Sequence, residues 1–262
     1  MRSRNLLCGT VAFILAAALL SMQLSCRAAG SLGVAREAML GALEQLGFPL
    51  EESIAVSTLA ERDAADVSAL DNSCIIGHSH AVGMQMMLEV EGLDYIAEVG
   101  MITENMLAHY DFDLPDGSVG GLRYGLEAKQ YDRIFILLGS NDIIGGAPYL
   151  PVFKSSMETL LDAVSDLQPD AEICLLSIAP LSKGFLRFCS DSYGLTKEVM
   201  DDYNHALRSV AVTRDLDYLD ITSPLSNEDG YLASEYDRGD GLHFNEDGNR
   251  VILETILTHL GT

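Results

Sequence analysis

From residue 72 onward, short uninterrupted apolar runs alternate with segments of helical periodicity, and this alternation is what most constrains the fold. The clearest run is Ile134-Phe135-Ile136-Leu137-Leu138. A strand with one face in water alternates apolar and polar residues, whereas a strand covered on both faces is continuously apolar. Such strands interleaved with helices are typical of parallel sheets. The pattern therefore predicts an α/β fold, a three-layer α/β/α sandwich with a central parallel sheet.

The same rhythm predicts the individual elements of this sandwich. Strands are expected at 74–76, 95–99, 133–138, 172–178 and 218–221, and helices at 80–90, 120–130, 157–167, 196–213 and 245–260. Residues 143–153 and 181–193 are expected to form loops over the ligand-binding edge of the sheet. Their Tyr, Phe and Met side chains would then shape a pocket.

Residues 1–29 have the features of a Sec-type signal peptide or an N-terminal anchor. Arg2 and Arg4 precede an apolar stretch from Leu6 to Leu20, and small residues follow it. The stretch is shorter than the roughly 20 residues that a transmembrane helix needs, which favours cleavage over retention. Lipidation at Cys26 and a membrane tether through the N-terminus stay open. We expect a secreted or extracellular surface-anchored protein.

The remaining chain divides into two parts with different patterns. Residues 30–71 are expected to hold a leading helix and a linker, and residues 72–262 the catalytic domain. The chain has 16 Lys and Arg against 39 Asp and Glu, a net charge of −23. This charge repels phosphate backbones, so nucleic acid is not expected as a partner. The oligomeric state is left open.

Reactive residue types follow the predicted strands, at the edge where parallel sheets bind ligands. Gly77-His78-Ser79 comes after the first strand, Gly100 after the second, and Gly139-Ser140-Asn141-Asp142 after the third. Asp240-Gly241-Leu242-His243 lies before the last helix. A serine hydroxyl becomes a good nucleophile when an imidazole takes its proton and a carboxylate orients that imidazole. The four groups supply these residue types together.

In this order the groups resemble the SGNH (GDSL-like) hydrolases, a family of esterases, lipases, thioesterases and carbohydrate deacetylases with a flavodoxin-like fold. The resemblance spans about residues 72–260. It implies that Ser79 is the nucleophile, His243 the general base and Asp240 the triad acid. It also implies an oxyanion hole formed by the N–H groups of Ser79 and Gly100 and the side chain of Asn141. No cofactor and no metal are expected.

The sequence departs from the family pattern at His78, where the family has Asp. Because that Asp is not the triad acid, the implied mechanism stays intact. His78 and His80 flank the serine, but no third residue has a spacing suited to a metal site. A packing or substrate-lining role is therefore favoured for both histidines.

The expected function is that of a serine hydrolase cleaving O-acyl esters, short-chain or acetyl, on an extracellular carbohydrate or a small molecule. An O-acyltransferase with the same triad would have the same sequence features. A catalytically silent surface binding protein is a third reading, favoured by His78 alone.

Overall fold

A computed structural model of the chain describes residues 64–260. Its strands, in chain order, are β1 (Ser73–Gly77), β2 (Leu93–Ala97), β3 (Phe112–Asp113), β4 (Val119–Gly120), β5 (Arg133–Leu137), β6 (Glu172–Leu176) and β7 (Asp217–Leu219). Its helices are α1 (Ser79–Leu88), α2 (Leu122–Ala128), α3 (Gly146–Leu167), α4 (Lys183–Tyr193), α5 (Lys197–Arg214), α6 (Thr222–Leu225) and α7 (Glu246–Leu260). Short 3₁₀ turns lie at Val67–Leu70, Thr103–Asn105 and Asp142–Gly145.

The central sheet has five parallel strands in the order β2-β1-β5-β6-β7, and β3 and β4 form a separate antiparallel pair. In chain order the sheet starts with β1. The next strand, β2, pairs with one side of β1, and β5 then pairs with the other side. The strand order therefore reverses between β1 and β5, and α/β proteins bind ligands at such switch points. Gly77 pairs with Leu137 across these two strands, so the segments that follow them leave the sheet at the same edge.

Apolar side chains cover both faces of the sheet. Ile76 and Ile136 belong to a core with residues of α2, α3 and α5, whereas Ile75 and Phe135 belong to a second core with residues of α1 and α7. All four side chains are almost completely buried. This double cover explains the continuously apolar strands and confirms the predicted three-layer α/β/α fold.

The two predicted loops are wrong, because both segments are largely helical. Residues 146–153 form the first two turns of α3, although they contain Pro148 and Pro151. Pro148 lies in the first turn, where it costs little because the N–H groups there have no partner within the helix, whereas Pro151 lies in the second turn, inside the helix. Residues 183–193 form α4, which Ser182 caps through its hydroxyl and Gly194 ends with a φ of 66°. Apart from the start of α3, the predicted helices and strands are confirmed to within two residues.

The segment before β1 packs on the domain, since Ala65 N donates to Leu257 O of α7 and Leu70 is fully buried. The leading helix predicted before residue 50 and the signal sequence lie outside the described residues, and the domain limits at residues 29 and 71 stay predictions. Between residues 64 and 260, none of the helices combines the length and apolar character needed to cross a membrane.

Candidate active site

Ser79 is the first residue of α1 and is separated from β1 by His78 alone. The turn is tight: a Cβ on Gly77 would lie 2.9 Å from the carbonyl oxygen of Leu137 on β5. His78 has an extended backbone, and its Nδ1 accepts a hydrogen bond from His80 N at 3.3 Å. It thereby caps α1, as an Asp carboxylate commonly does at this position. Ser79 is thus held at the carboxyl edge of the sheet, half-buried.

The loop before α7 is a compact turn built around Asp240. Oδ1 of Asp240 accepts hydrogen bonds from Leu242 N at 2.9 Å and from His243 N at 2.8 Å. Gly241 has a φ of 80°, a backbone angle that residues other than glycine rarely adopt. The turn fixes the backbone of His243, three positions after Asp240, relative to the carboxylate.

The structure brings Ser79, His243 and Asp240 together in one chain of contacts. His243 Nδ1 lies 2.8 Å from Asp240 Oδ2, and His243 Nε2 lies 3.0 Å from Ser79 Oγ. Since a carboxylate only accepts, Nδ1 carries the proton, and in the neutral ring Nε2 is free to accept from the Ser79 hydroxyl. These are the distances and the tautomer that a general base for Ser79 requires.

Asp240 remains ionised across the physiological pH range. Its partial burial acts to raise the pKa, but the hydrogen bonds from His243 and Leu242 outweigh this effect and lower the pKa to about 2. An ionised carboxylate beside His243 stabilises the imidazolium that forms when the ring takes a proton.

Three N–H donors lie around this edge of the sheet. The N–H groups of Ser79 and Gly100 have no hydrogen-bond acceptor among residues 64–260. Gly100 ends the turn after β2 with a φ of 77° and is exposed. Asn141 Nδ2 donates to Met101 O at 2.8 Å with one of its two hydrogens, which leaves the other for a ligand. The structure links Asn141 to the residue after Gly100, as an oxyanion site formed from both would need.

Asp142 connects the loops that carry Asn141 and Gly100. Its buried carboxylate accepts hydrogen bonds from Thr103 N at 3.1 Å and from Thr103 Oγ1 at 3.2 Å. Burial raises the pKa of Asp142 to about 6, against the lowering effect of the hydrogen bonds from Thr103. The sequence indicated Asn141 but gave Asp142 no separate task.

His78 and His80 flank Ser79 in the sequence, and both are buried. The His80 ring is 4.7 Å from the His78 ring and 5.7 Å from the His243 ring, centroid to centroid. His80 Nε2 donates to Leu242 O at 3.1 Å. Burial lowers the pKa of His78 well below its usual value and that of His80 to about 4, so both rings are neutral. Within the described part of the chain, no group of three or more His, Cys, Asp or Glu residues is arranged to hold a metal ion.

Comparisons with known proteins point to one family. The model of the GDSL-like lipase/acylhydrolase family matches residues 105–251, which is more than half of the chain and includes Asn141, Asp240 and His243. Ser79 and Gly100 precede the matched range. The GDSL esterase/lipase WDL1 of Oryza sativa subsp. japonica is 24% identical over 139 residues, which are 49% of this chain and 53% of the rice protein. The chain thus spans about half the length of this curated relative.

Two solved structures with a similar fold come from bacteria. One is a candidate platelet activating factor from Streptococcus pneumoniae, with a TM-score of 0.56 and 23% identity over 73% of this chain and 84% of that one. Another is Axe2, an acetylxylan esterase from Geobacillus stearothermophilus, with a TM-score of 0.50 and 14% identity over 79% of this chain and 96% of that one. At these identities the likeness concerns the fold.

The parallel α/β/α sandwich with a serine at its switch point and the match to the family model point to the same class of protein, the GDSL-like lipases and acylhydrolases. The chain belongs to the GDSL-like lipase/acylhydrolase family. The resemblance predicted from the sequence is thereby confirmed, while the role of each site residue stays a prediction.

Proposed function

We propose that this protein is a serine hydrolase that cleaves O-acyl esters, with Ser79 as nucleophile, His243 as general base and Asp240 as the acid that orients His243. The observation that carries the proposal is the continuous contact from Asp240 Oδ2 through His243 to Ser79 Oγ, with distances of 2.8 and 3.0 Å. Membership of the acylhydrolase family supports the same reaction type.

The contacts support a two-step reaction. His243 Nε2 takes the hydroxyl proton of Ser79 while Oγ attacks the ester carbonyl, and the imidazolium then gives this proton to the leaving alcohol. In the second step a water molecule attacks the acyl-enzyme, and His243 accepts its proton and returns it to Ser79. The carbonyl oxygen becomes negative in both steps, and the donors of Ser79, Gly100 and Asn141 are available to stabilise it. Each such donor contributes about 3 to 4 kcal/mol in enzymes of this type.

The exposure of the site favours a short acyl group on a hydrophilic carrier. The Asp240 side chain is 51% exposed and that of His243 33% exposed, so the reacting groups lie at the surface. A long acyl chain needs a deep apolar pocket to gain binding energy, whereas an acetyl group does not. The similarity in fold to an acetylxylan esterase is compatible with an acetylated carbohydrate as the substrate. We infer that the substrate is a short-chain or acetyl ester, on a carbohydrate or a small molecule.

The experiment is a rate measurement on the full chain and on Ser79→Ala. We expect turnover of p-nitrophenyl acetate by the wild type, a fall in kcat/KM along esters of increasing acyl length, and loss of turnover in the variant. A fluorophosphonate probe should label the wild type at Ser79. Equal turnover by both proteins would contradict the proposal. Acyl transfer to added glycan in excess of hydrolysis would instead indicate an acyltransferase.

We also propose that the protein acts outside the cytoplasm. The support is the pattern of Arg2 and Arg4 followed by the apolar stretch to Leu20. Fractionation of expressing cells, followed by N-terminal sequencing of the product, separates a cleaved leader from an anchored one.

A further inference from the structure

We infer that His80 is a positioning residue for His243: its Nε2–H holds the carbonyl of Leu242 and so keeps the imidazole of His243 in reach of Ser79. This inference rests on the proposed function, because it assigns His80 a task in the reaction of Ser79. No part of it depends on the substrate.

Two parallel contacts join α1 to the loop before α7. Ser79 Oγ meets His243 Nε2 at 3.0 Å, and the next residue, His80, donates from Nε2 to the carbonyl of the preceding residue, Leu242, at 3.1 Å. Adjacent residues on one element therefore bind adjacent residues on the other. The second contact is the one that does not change during proton transfer, so it can hold the loop while Ser79 and His243 exchange a proton.

The carbonyls on either side of Leu242 accept hydrogen bonds from backbone N–H groups. Gly241 O accepts from Ser182 N at 2.9 Å, and His243 O accepts from Arg238 N at 2.9 Å. Among the described residues, the carbonyl of Leu242 is held by a side chain, that of His80, which lies on the helix that carries Ser79. Beside the contact of Ser79 with His243, His80 thus forms a second direct link between the helix that carries the serine and the loop.

The chemistry of the His80 ring supports a polar task in preference to packing. Leu242 O can only accept a hydrogen bond, so Nε2 of His80 carries the proton and Nδ1 is unprotonated. Nδ1 is buried and has no hydrogen-bond partner among the described residues. An unpartnered buried acceptor is unfavourable. Phe or Leu in place of His80 would fill the same space against Phe244, whose ring centroid lies 4.7 Å from that of His80, and would carry no such acceptor. The hydrogen bond to Leu242 is the feature that those residues would lose.

A neutral ring also suits this location. The His80 and His243 rings are 5.7 Å apart at an interplanar angle of 84°. A positive charge on His80 would oppose the imidazolium that forms on His243 during catalysis. Burial keeps His80 uncharged, so it can donate a hydrogen bond to the loop without this repulsion.

The test compares two substitutions that separate the donor from the ring. His80→Gln keeps an amide N–H at about the place of Nε2, whereas His80→Phe keeps a flat ring and loses the donor. We expect His80→Phe to lower kcat for p-nitrophenyl acetate by roughly 10- to 100-fold with KM changed less than about twofold, because small misplacements of a reacting group are costly. His80→Gln should restore most of the rate, and fluorophosphonate labelling of Ser79 should slow in parallel with kcat.

His109→Phe is the matched control, since His109 also has a buried unpartnered Nε2 and packs on Phe112, away from the loop. It should leave kcat unchanged. Equal kcat in His80→Phe and the wild type would overturn the positioning role and leave the proposed function intact. Absence of turnover in the wild type would refute the proposed function, and ¹⁵N NMR of the His80 ring would then still test the contact. A proton on Nδ1 instead of Nε2 would overturn it.

Discussion

Asp142 accepts two hydrogen bonds from Thr103, one from the backbone N–H and one from the hydroxyl, and so joins the loop after β5 to the loop after β2. These are the loops that carry Asn141 and Gly100. The positions of the proposed oxyanion donors therefore depend on the buried carboxylate of Asp142, which binds Thr103 and neither of the donors. Its ionisation is the first property that can be tested.

Asp142→Asn should change how stability depends on pH. The folded pKa of Asp142 is about 6 against an ordinary value of 3.8, so between these pH values the folded state binds more protons than the unfolded state. The contribution of Asp142 to the free energy of unfolding is then fully present below about pH 4. It falls by at most about 3 kcal/mol as the pH rises through about 6. Asn does not titrate and keeps an acceptor for Thr103.

Urea unfolding of both proteins at several values between about pH 4 and pH 7 measures this difference. The wild type should lose stability relative to Asp142→Asn as the pH rises. Thr103→Val removes the hydroxyl donor and should move the loss to higher pH. Parallel curves for the wild type and Asp142→Asn would contradict the raised pKa.

Asp240→Asn should lower kcat by about 10²- to 10⁴-fold with little effect on stability. An amide in place of the carboxylate no longer fixes the proton on His243 Nδ1 and does not stabilise the imidazolium. The side chain is half exposed, so the free energy of unfolding should change by less than about 1 kcal/mol. Steady-state kinetics with p-nitrophenyl acetate and urea unfolding measure the two effects.

Asp229→Asn serves as the control for this variant, because it removes an exposed carboxylate on a turn outside the site. It should leave kcat unchanged. A similar small effect of both substitutions on kcat would show that Asp240 does not orient His243.

The sheet could be predicted from the sequence because burial on both faces leaves a local trace, a continuous apolar run such as that of β5. The start of α3 could not, since Pro148 and Pro151 suggest a loop. In the structure Pro148 lies in the first helical turn, where proline is tolerated, but Pro151 lies inside the helix, which its own preference would not predict. The capping residues of α4, Ser182 and Gly194, were visible in the sequence and could have indicated that helix.

In the site, the motifs predicted Ser79, Asp240 and His243 because the family resemblance fixes their order along the chain. The contacts that hold these three residues in place produce no recognisable pattern in the sequence. His80 and Leu242 are 162 residues apart, and Thr103 and Asp142 are 39 apart. Pairs this distant become visible only when the topology brings β1, β2 and β5 to one edge. A second histidine beside the nucleophile was the one local signal for His80.

Asn141→Ala should lower kcat by about 10²- to 10³-fold and change KM little, because the side chain is expected to stabilise charge that develops only in the transition state. It also removes the hydrogen bond to Met101 O, which should lower the free energy of unfolding by about 1 kcal/mol. Kinetics with p-nitrophenyl acetate and thermal unfolding report the two losses.

Asn227→Ala is the comparison, and it removes two side-chain hydrogen bonds where Asn141→Ala removes one. Asn227 Oδ1 accepts from Asp229 N at 3.0 Å and Tyr231 N at 3.1 Å on a surface turn. This variant should lose stability and keep its kcat. If Asn141→Ala behaved in the same way, its side chain would be structural and the oxyanion role would have to be assigned elsewhere.

Gly241→Ala should damage both stability and catalysis, whereas Gly117→Ala should damage stability alone. Both glycines have positive φ values, 80° and 82°, so alanine strains the backbone by roughly 1 kcal/mol at either site. At Gly117 a Cβ meets nothing within 4 Å, but at Gly241 it would collide with Ser182 and lie 2.8 Å from Phe185 Cβ. Relieving that collision moves the turn between Asp240 and His243 away from α4, and hence His243 away from Ser79. We expect kcat to fall by at least about 10²-fold in Gly241→Ala and to stay unchanged in Gly117→Ala, and equal rates in the two variants would show that the turn tolerates displacement.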